Sequence, residues 1–178
     1  MALISRRFFL IVPPAVLAAT WFGESGEGFE AINAPPLAGA KRASGADAKG
    51  FRHAQLKGAV TVIHALASSR PECFDEVAVW HDLVREHRFQ FAGLFVRDNE
   101  ADARNFIERT GNPYDALAFD ADGRAERQLG VREVPSTFVV NAGGQIIHVL
   151  QGPVTRDYFT RTLLPIIEDA APIAPLRA

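Results

Sequence analysis

The chain has 178 residues, enough for one domain of ordinary size with a little left over. Apolar residues make up 48% and charged ones 22%, which excludes a disordered chain, and 19 Lys and Arg against 21 Asp and Glu exclude nucleic-acid binding through bulk charge. The single cysteine, Cys73, rules out an intrachain disulfide and a Cys-rich zinc site, whose thiolates come in sets.

The chain opens with a short basic stretch, Ser5-Arg6-Arg7, followed by an apolar run over 8–22. That run is short for a spanning helix and right for the h-region of an export signal. Pro13 and Pro14 would also kink a membrane helix. Ser-Arg-Arg-Phe-Phe-Leu matches the twin-arginine export pattern, although a double arginine is also the positive end of any export signal. Residues 1–23 are therefore expected to be an export signal, cut after Ala18 or Ala19, or an uncleaved anchor. Either places the domain outside the bacterial cytoplasm. Residues 24–50, rich in Gly, Ala, Ser and Pro, read as a linker and irregular extension, 51–169 as the domain, and 170–178 as a disordered tail.

Within the domain, strands and helices alternate. The β-branched apolar run 59–66 predicts a strand covered on both faces. Ser69 and Glu72 have capping-box spacing and Pro71 suits the first helical position, so a helix should follow. Its apolar side is expected to be Phe74, Val77, Trp80 or His81, and Val84. A second strand is predicted over 88–96, a second helix over 100–109, a turn at Gly111-Asn112-Pro113-Tyr114 and a short strand over 116–119. Asp120-Ala-Asp-Gly123 turns into a short helix ending near Gly130. Strands over 136–140 and 145–150 flank Asn141-Ala-Gly-Gly144 and read as an antiparallel hairpin. A closing amphipathic helix spans 155–168. The sum is an α/β fold, a central mixed sheet flanked by helices.

Other residues invite functional readings. His64, inside an apolar strand, reads as a core histidine. His81 and His87 lack the four-residue spacing that sets two metal ligands on one helix face, so no metal is expected. Tyr114 reads as a packing residue, Gly143-Gly144 as a turn and not a phosphate loop, and Asp120-Ala-Asp-Gly as a turn and not a calcium loop.

The element order, with Val134-Pro135-Ser136 just before the hairpin, resembles the thioredoxin fold, in which a cis-proline stands beside the redox motif. Gly111-Asn112-Pro113-Tyr114, Asp120-Ala-Asp-Gly-Arg124, Leu129-Gly-Val-Arg-Glu-Val-Pro135-Ser-Thr-Phe138, Gly152-Pro153 and Leu163-Leu-Pro165 together resemble the CcmG/DsbE type of periplasmic thiol:disulfide interchange protein. The resemblance runs from about Phe29 to about Glu168. It implies a thioredoxin-like domain behind an export signal or anchor. It also implies a role in cytochrome c biogenesis, with apocytochrome c or another thiol/disulfide protein as partner, a membrane thiol-reducing partner, and no cofactor.

The chain departs from that family at its redox motif. The family carries Trp-Cys-x-x-Cys after the first buried strand. Here Cys73 and Glu76 line up with the second, resolving cysteine and the Glu after it, while Arg70 stands in the place of the nucleophilic cysteine and Ser69 in that of the Trp. The loop before Cys73 reads as about three residues longer. Asp98 and Glu76 fall where the family keeps acidic residues, though both also read as solvated charges.

A dithiol enzyme needs its second thiolate to resolve the mixed disulfide formed by the first, and one cysteine cannot do both. Three readings stay open. Cys73 acts as a monothiol resolved by another protein's thiol, its thiolate favoured by the helix N-terminus and Arg70 and opposed by Glu72, Asp75 and Glu76. Alternatively, Cys73 is buried and inert, and the groove formed by Val134, Pro135 and Ser136 still binds an extended peptide such as apocytochrome. In the third reading the domain is a redox-inactive peptide-binding or chaperone module unrelated to cytochrome c.

Overall fold

The computed structural model describes residues 32–42 and 44–171. The expected export signal or anchor and most of the expected tail lie outside the described residues. Among the described residues no helix is long and apolar enough to cross a membrane.

Seven strands form. β1 (Asn33–Ala34) and β2 (Phe51–Arg52) pair as a small antiparallel ribbon. β3 (Thr61–Leu66), β4 (Gln90–Phe95), β5 (Ala116–Phe119), β6 (Ser136–Val140) and β7 (Ile146–Gln151) form one sheet in the order β5-β4-β3-β6-β7. β3 is buried along its whole length and lies at the centre, parallel to β4 and antiparallel to β6. Parallel neighbours need a crossover, and α2 (Pro71–Glu86) and α3 (Glu100–Thr110) supply the two that link β3, β4 and β5. α4 (Arg124–Leu129) then leads into the antiparallel hairpin of β6 and β7.

Alternation along β3 divides the core in two. Val62 and Leu66 face α2, where they pack with Val77, Trp80, Leu83, Phe91 and Phe106. Ile63 and Ala65 face the other side, with Leu94, Leu129 and Phe138. Each large apolar side chain buried this completely, such as Leu83 or Phe106, contributes about 1.5–3 kcal/mol. Gly93 is required by this packing, because a Cβ there would lie 2.9 Å from the Tyr114 ring.

Several expectations need correction. The N-cap of α2 is Arg70, with no side-chain cap, so Ser69 and Glu72 form no capping box. Pro71 takes the first helical position, and the Cys73 N–H bonds instead to the Arg70 carbonyl at 3.1 Å. The loop before the helix is the four residues 67–70. The buried side of α2 is Cys73, Glu76, Val77, Trp80 and Leu83. Phe74 and Val84 are only half-buried, at the margin of that face.

Of residues 24–50, expected as linker and extension, the described ones pack against the domain. Leu37 is buried, its N–H donates to the Leu117 carbonyl at 3.1 Å, and Pro36 bridges to Ala118. The segment covers the β5 edge, which would otherwise expose unpaired backbone groups. β1, β2 and the short α1 (His53–Leu56) have no counterpart in the sequence reading, because two-residue strands carry no periodicity.

The closing helix is irregular: α5 (Arg156–Tyr158), a π-helical segment (Phe159–Leu163) and α6 (Leu164–Ala170). Pro165 at the start of α6 lacks an N–H for the previous turn, and a locally wider turn accommodates its ring.

Candidate thiol site and peptide edge

The C-terminal end of β3 runs through residues 67–70 into α2, so Cys73 sits in the first turn of that helix. The antiparallel register Ala65↔Ser136 brings the start of β6 alongside the same end of β3. The Val134–Pro135 bond, just before β6, is cis. Cys73 and the Val134-Pro135-Ser136 stretch therefore belong to one end of the sheet. A cavity of about 390 Å³, lined by Lys49, Phe51, Gln55, Thr61, Gln90 and Asp115 among others, lies at the opposite end.

Cys73 is wholly buried, within the core cluster that includes Val77, Trp80 and Phe106. Removal from water pushes its thiol up from 9.0 to about 12. A backbone hydrogen bond from Ala67 pulls the other way, Glu76 and Glu72 add to the rise, and Arg70 opposes it only weakly. The opposed charges gave no reason to expect a strongly activated thiol, and burial decides the direction. Arg70 itself is exposed at the N-cap and makes no capping hydrogen bond.

Glu76 is not the solvated charge that one reading allowed. It is 2% exposed and turns into the core. Trp80 Nε1 donates to its Oε1 at 3.0 Å and the Val154 N–H donates to the same atom at 3.1 Å. Its Oε2 lies 3.4 Å from His64 Nε2, a pair with both side chains fully buried. His64 Nδ1 is 2.9 Å from the Tyr114 hydroxyl, and burial raises that phenol well above its ordinary value, with Glu76 and Cys73 adding to the rise. His64 is a core histidine as expected. Its partners, Glu76 and Tyr114, were not foreseen as a group. The available signal was a lone polar residue in an otherwise apolar strand, which needs a buried partner. Among the described residues, no three or more His, Cys, Asp or Glu side chains are placed to hold a metal ion.

At the peptide edge, the Ser136 hydroxyl donates internally, with the Glu133 carbonyl at 2.5 Å and Gln151 Oε1 at 2.8 Å. The Pro135 carbonyl accepts from the Gly152 N–H at 2.8 Å. Val134 lies outside the ladder, and among the described residues its N–H and carbonyl take no protein partner although the residue is only 8% exposed. Asp98 is half-buried and engaged: it accepts from the Ser68 N–H at 2.5 Å and the Ser68 hydroxyl at 2.8 Å.

A mixed sheet in this order, with a helix carrying cysteine in its first turn after the central strand and a cis X–Pro bond opening the neighbouring antiparallel strand, is the thioredoxin-like α/β architecture. A family model described as Redoxin matches residues 33–163, and the chain belongs to that family. It is 32% identical over 117 residues to the thiol:disulfide interchange protein CycY of Rhizobium leguminosarum bv. viciae, covering 66% of this chain and 63% of the relative. It is 33% identical over 111 residues to the thiol:disulfide interchange protein DsbE homolog of Paracoccus denitrificans, covering 62% and 61%. The chain thus spans somewhat under two thirds of the length of these relatives. The fold also matches a secreted disulfide oxidoreductase of Mycobacterium tuberculosis with TM-score 0.61 at 20% identity, over 76% of this chain and 96% of that one. A thiol-disulfide isomerase of Corynebacterium glutamicum gives TM-score 0.59 at 18% identity, over 71% and 89%.

Proposed function

We propose that this chain is an exported, periplasmic member of the CcmG/DsbE-type interchange group that binds the Cys-x-x-Cys-His segment of apocytochrome c without redox turnover. The carrying observation is the fully buried Cys73, its thiol pushed up to about 12, in a chain with no second cysteine to resolve a mixed disulfide. The names and identities of the curated relatives support the thiol:disulfide context. The unpaired Val134 backbone supports capture of an extended peptide, with Pro135 shaping the edge and Ser136 holding it through Glu133 and Gln151. Arg70, exposed where the family has its nucleophile, contributes charge at the mouth of the site, and Glu76 is a structural acid of the core. On this reading no membrane thiol-reducing partner is needed, because Cys73 does not cycle.

The test uses the full chain and an apocytochrome peptide carrying an oxidised Cys-x-x-Cys-His. Binding is measured by titration, and a covalent adduct is sought by mass after acid quenching, with Cys73→Ser as control. Binding by both proteins without an adduct is the expected result. An adduct at Cys73 would restore the monothiol reading. Neither adduct nor binding would remove the cytochrome role. A peptide with both Cys replaced by Ala, bound equally well, would leave a general peptide-binding module.

A further inference from the structure

Arg97 is the only non-glycine residue with a positive φ among the described residues, at 52°. L-residues other than Gly, Asn and Asp rarely adopt that conformation, and they hold it only where the surroundings over-determine it. The surroundings here are specific. Arg97 Nε donates to Glu126 Oε1 at 2.8 Å, and Nη2 lies 2.6 Å from the same oxygen. Nη2 also donates to the Val131 carbonyl at 3.2 Å, and Nη1 to the Arg132 carbonyl at 3.3 Å. Those carbonyls belong to the segment that leads into Val134-Pro135.

The next residue reaches the opposite way. The Asp98 carboxylate accepts from the N–H and hydroxyl of Ser68, in the loop that leads to Arg70 and Cys73, and from the Asn99 N–H at 2.9 Å. Two adjacent side chains, at the one residue of positive φ and its successor, thus reach two separate loops. β4 itself is anchored centrally, and the Val96 N–H continues its pairing to the Leu66 carbonyl at 3.0 Å. Glu126, the other partner of Arg97, is fixed in turn, because its N–H donates to the buried Asp120 carboxylate at 2.8 Å.

We propose that Arg97 and Asp98 are the positioning residues of the peptide edge, one dipeptide at the end of β4 that ties the loop before Cys73 to the loop before Pro135. The proposal rests on the peptide-binding reading above. Its physical effect is preorganisation: with both loops held, the incoming strand meets Val134 without having to order the walls around it. Neither residue touches the peptide, so the effect passes through the loops.

The test compares the full wild-type chain with Arg97→Gly, Asp98→Ala and Asp98→Asn. Arg97→Gly removes the guanidinium and relieves the backbone, so the fold is not put at risk by the change. Hydrogen exchange read by mass should rise about tenfold at 131–135 in Arg97→Gly and at 67–70 in Asp98→Ala, with the β3 amides unchanged. The Kd for an apocytochrome peptide with both Cys replaced by Ala should weaken about tenfold in both variants, well below their Tm. Asp98→Asn, which keeps an acceptor for the Ser68 N–H, should recover part of both losses. A purely structural role would leave peptide affinity unchanged in the folded variants. Unchanged loop exchange, or raised exchange with unchanged Kd, overturns the proposal while the peptide-binding reading stands. A wild-type chain that binds no peptide overturns the peptide-binding reading and this inference with it.

Discussion

The burial of Cys73 has a direct chemical consequence. Burial pushes its thiol from the ordinary 9.0 up to about 12 in the folded chain. At pH 8, three units of difference mean about a thousandfold less thiolate in the native protein, and the thiolate is the reactive species. Burial adds a second factor, because a reagent must reach a sulfur with no exposed surface. Alkylation by iodoacetamide, quenched with acid and followed by mass, should therefore be more than about a thousandfold slower for the native chain than for the chain in urea. Stability follows the same linkage. Between 9.0 and about 12 the unfolded thiol loses its proton and the folded one keeps it. This contribution to stability is thus intact below 9.0 and is lost as pH rises, by up to about 1.4 kcal/mol per unit. Urea melts of wild type and Cys73→Ala at pH 8 and pH 10 should diverge by that dependence. Native alkylation within about tenfold of the unfolded rate would refute the reasoning and place the thiol at the surface.

Removing Glu76 strips an acceptor from Trp80 Nε1 and the Val154 N–H and leaves His64 without its facing acid, so Glu76→Ala should cost about 3–5 kcal/mol in urea unfolding. The Glu76→Ala and His64→Ala losses should then be less than additive in a double-mutant cycle. Gly93→Ala should destabilise by about 1–3 kcal/mol, because its Cβ would lie 2.8 Å from Leu117 Cδ1 and 2.9 Å from the Tyr114 ring; a neutral result would mean that the ring moves freely. Burial holds His148 below its ordinary 6.5 while its Nε2 lies 2.9 Å from the Tyr158 hydroxyl. The folded state prefers the neutral ring, so this contribution is present above 6.5 and is lost on acidification below it. Tm measured at pH 7.5 and pH 5 should fall less in His148→Gln than in wild type.

Much of the fold was legible because its signals are local. The β-branched run 61–66, the Asn/Gly turn before β7 and the Pro at the start of α2 each specify an element from a handful of neighbouring residues. The same locality explains the failures. β1 and β2 are too short to carry a period, and the chain between them bridges to β5 from far along the sequence. The Ser69–Glu72 spacing satisfied a local rule, yet Arg70 became the N-cap, while Ser68 turned to Asp98.

At the site the same division holds. The cysteine count alone determined that this chain cannot resolve a mixed disulfide by itself, because that is stoichiometry and needs no geometry. Only the tertiary structure decided that Cys73 is buried. The sign of its shift depends on how completely α2 packs its first turn onto the sheet, and neither the helix N-terminus nor Arg70 outweighs that loss of water. His64 was readable as a core residue, but its pairing with Glu76 and Tyr114 joins positions 12 and 50 residues away, and Arg97 acts on carbonyls 34 and 35 residues away. Spacing along the chain holds no record of such distances, because they are set by which strands lie side by side.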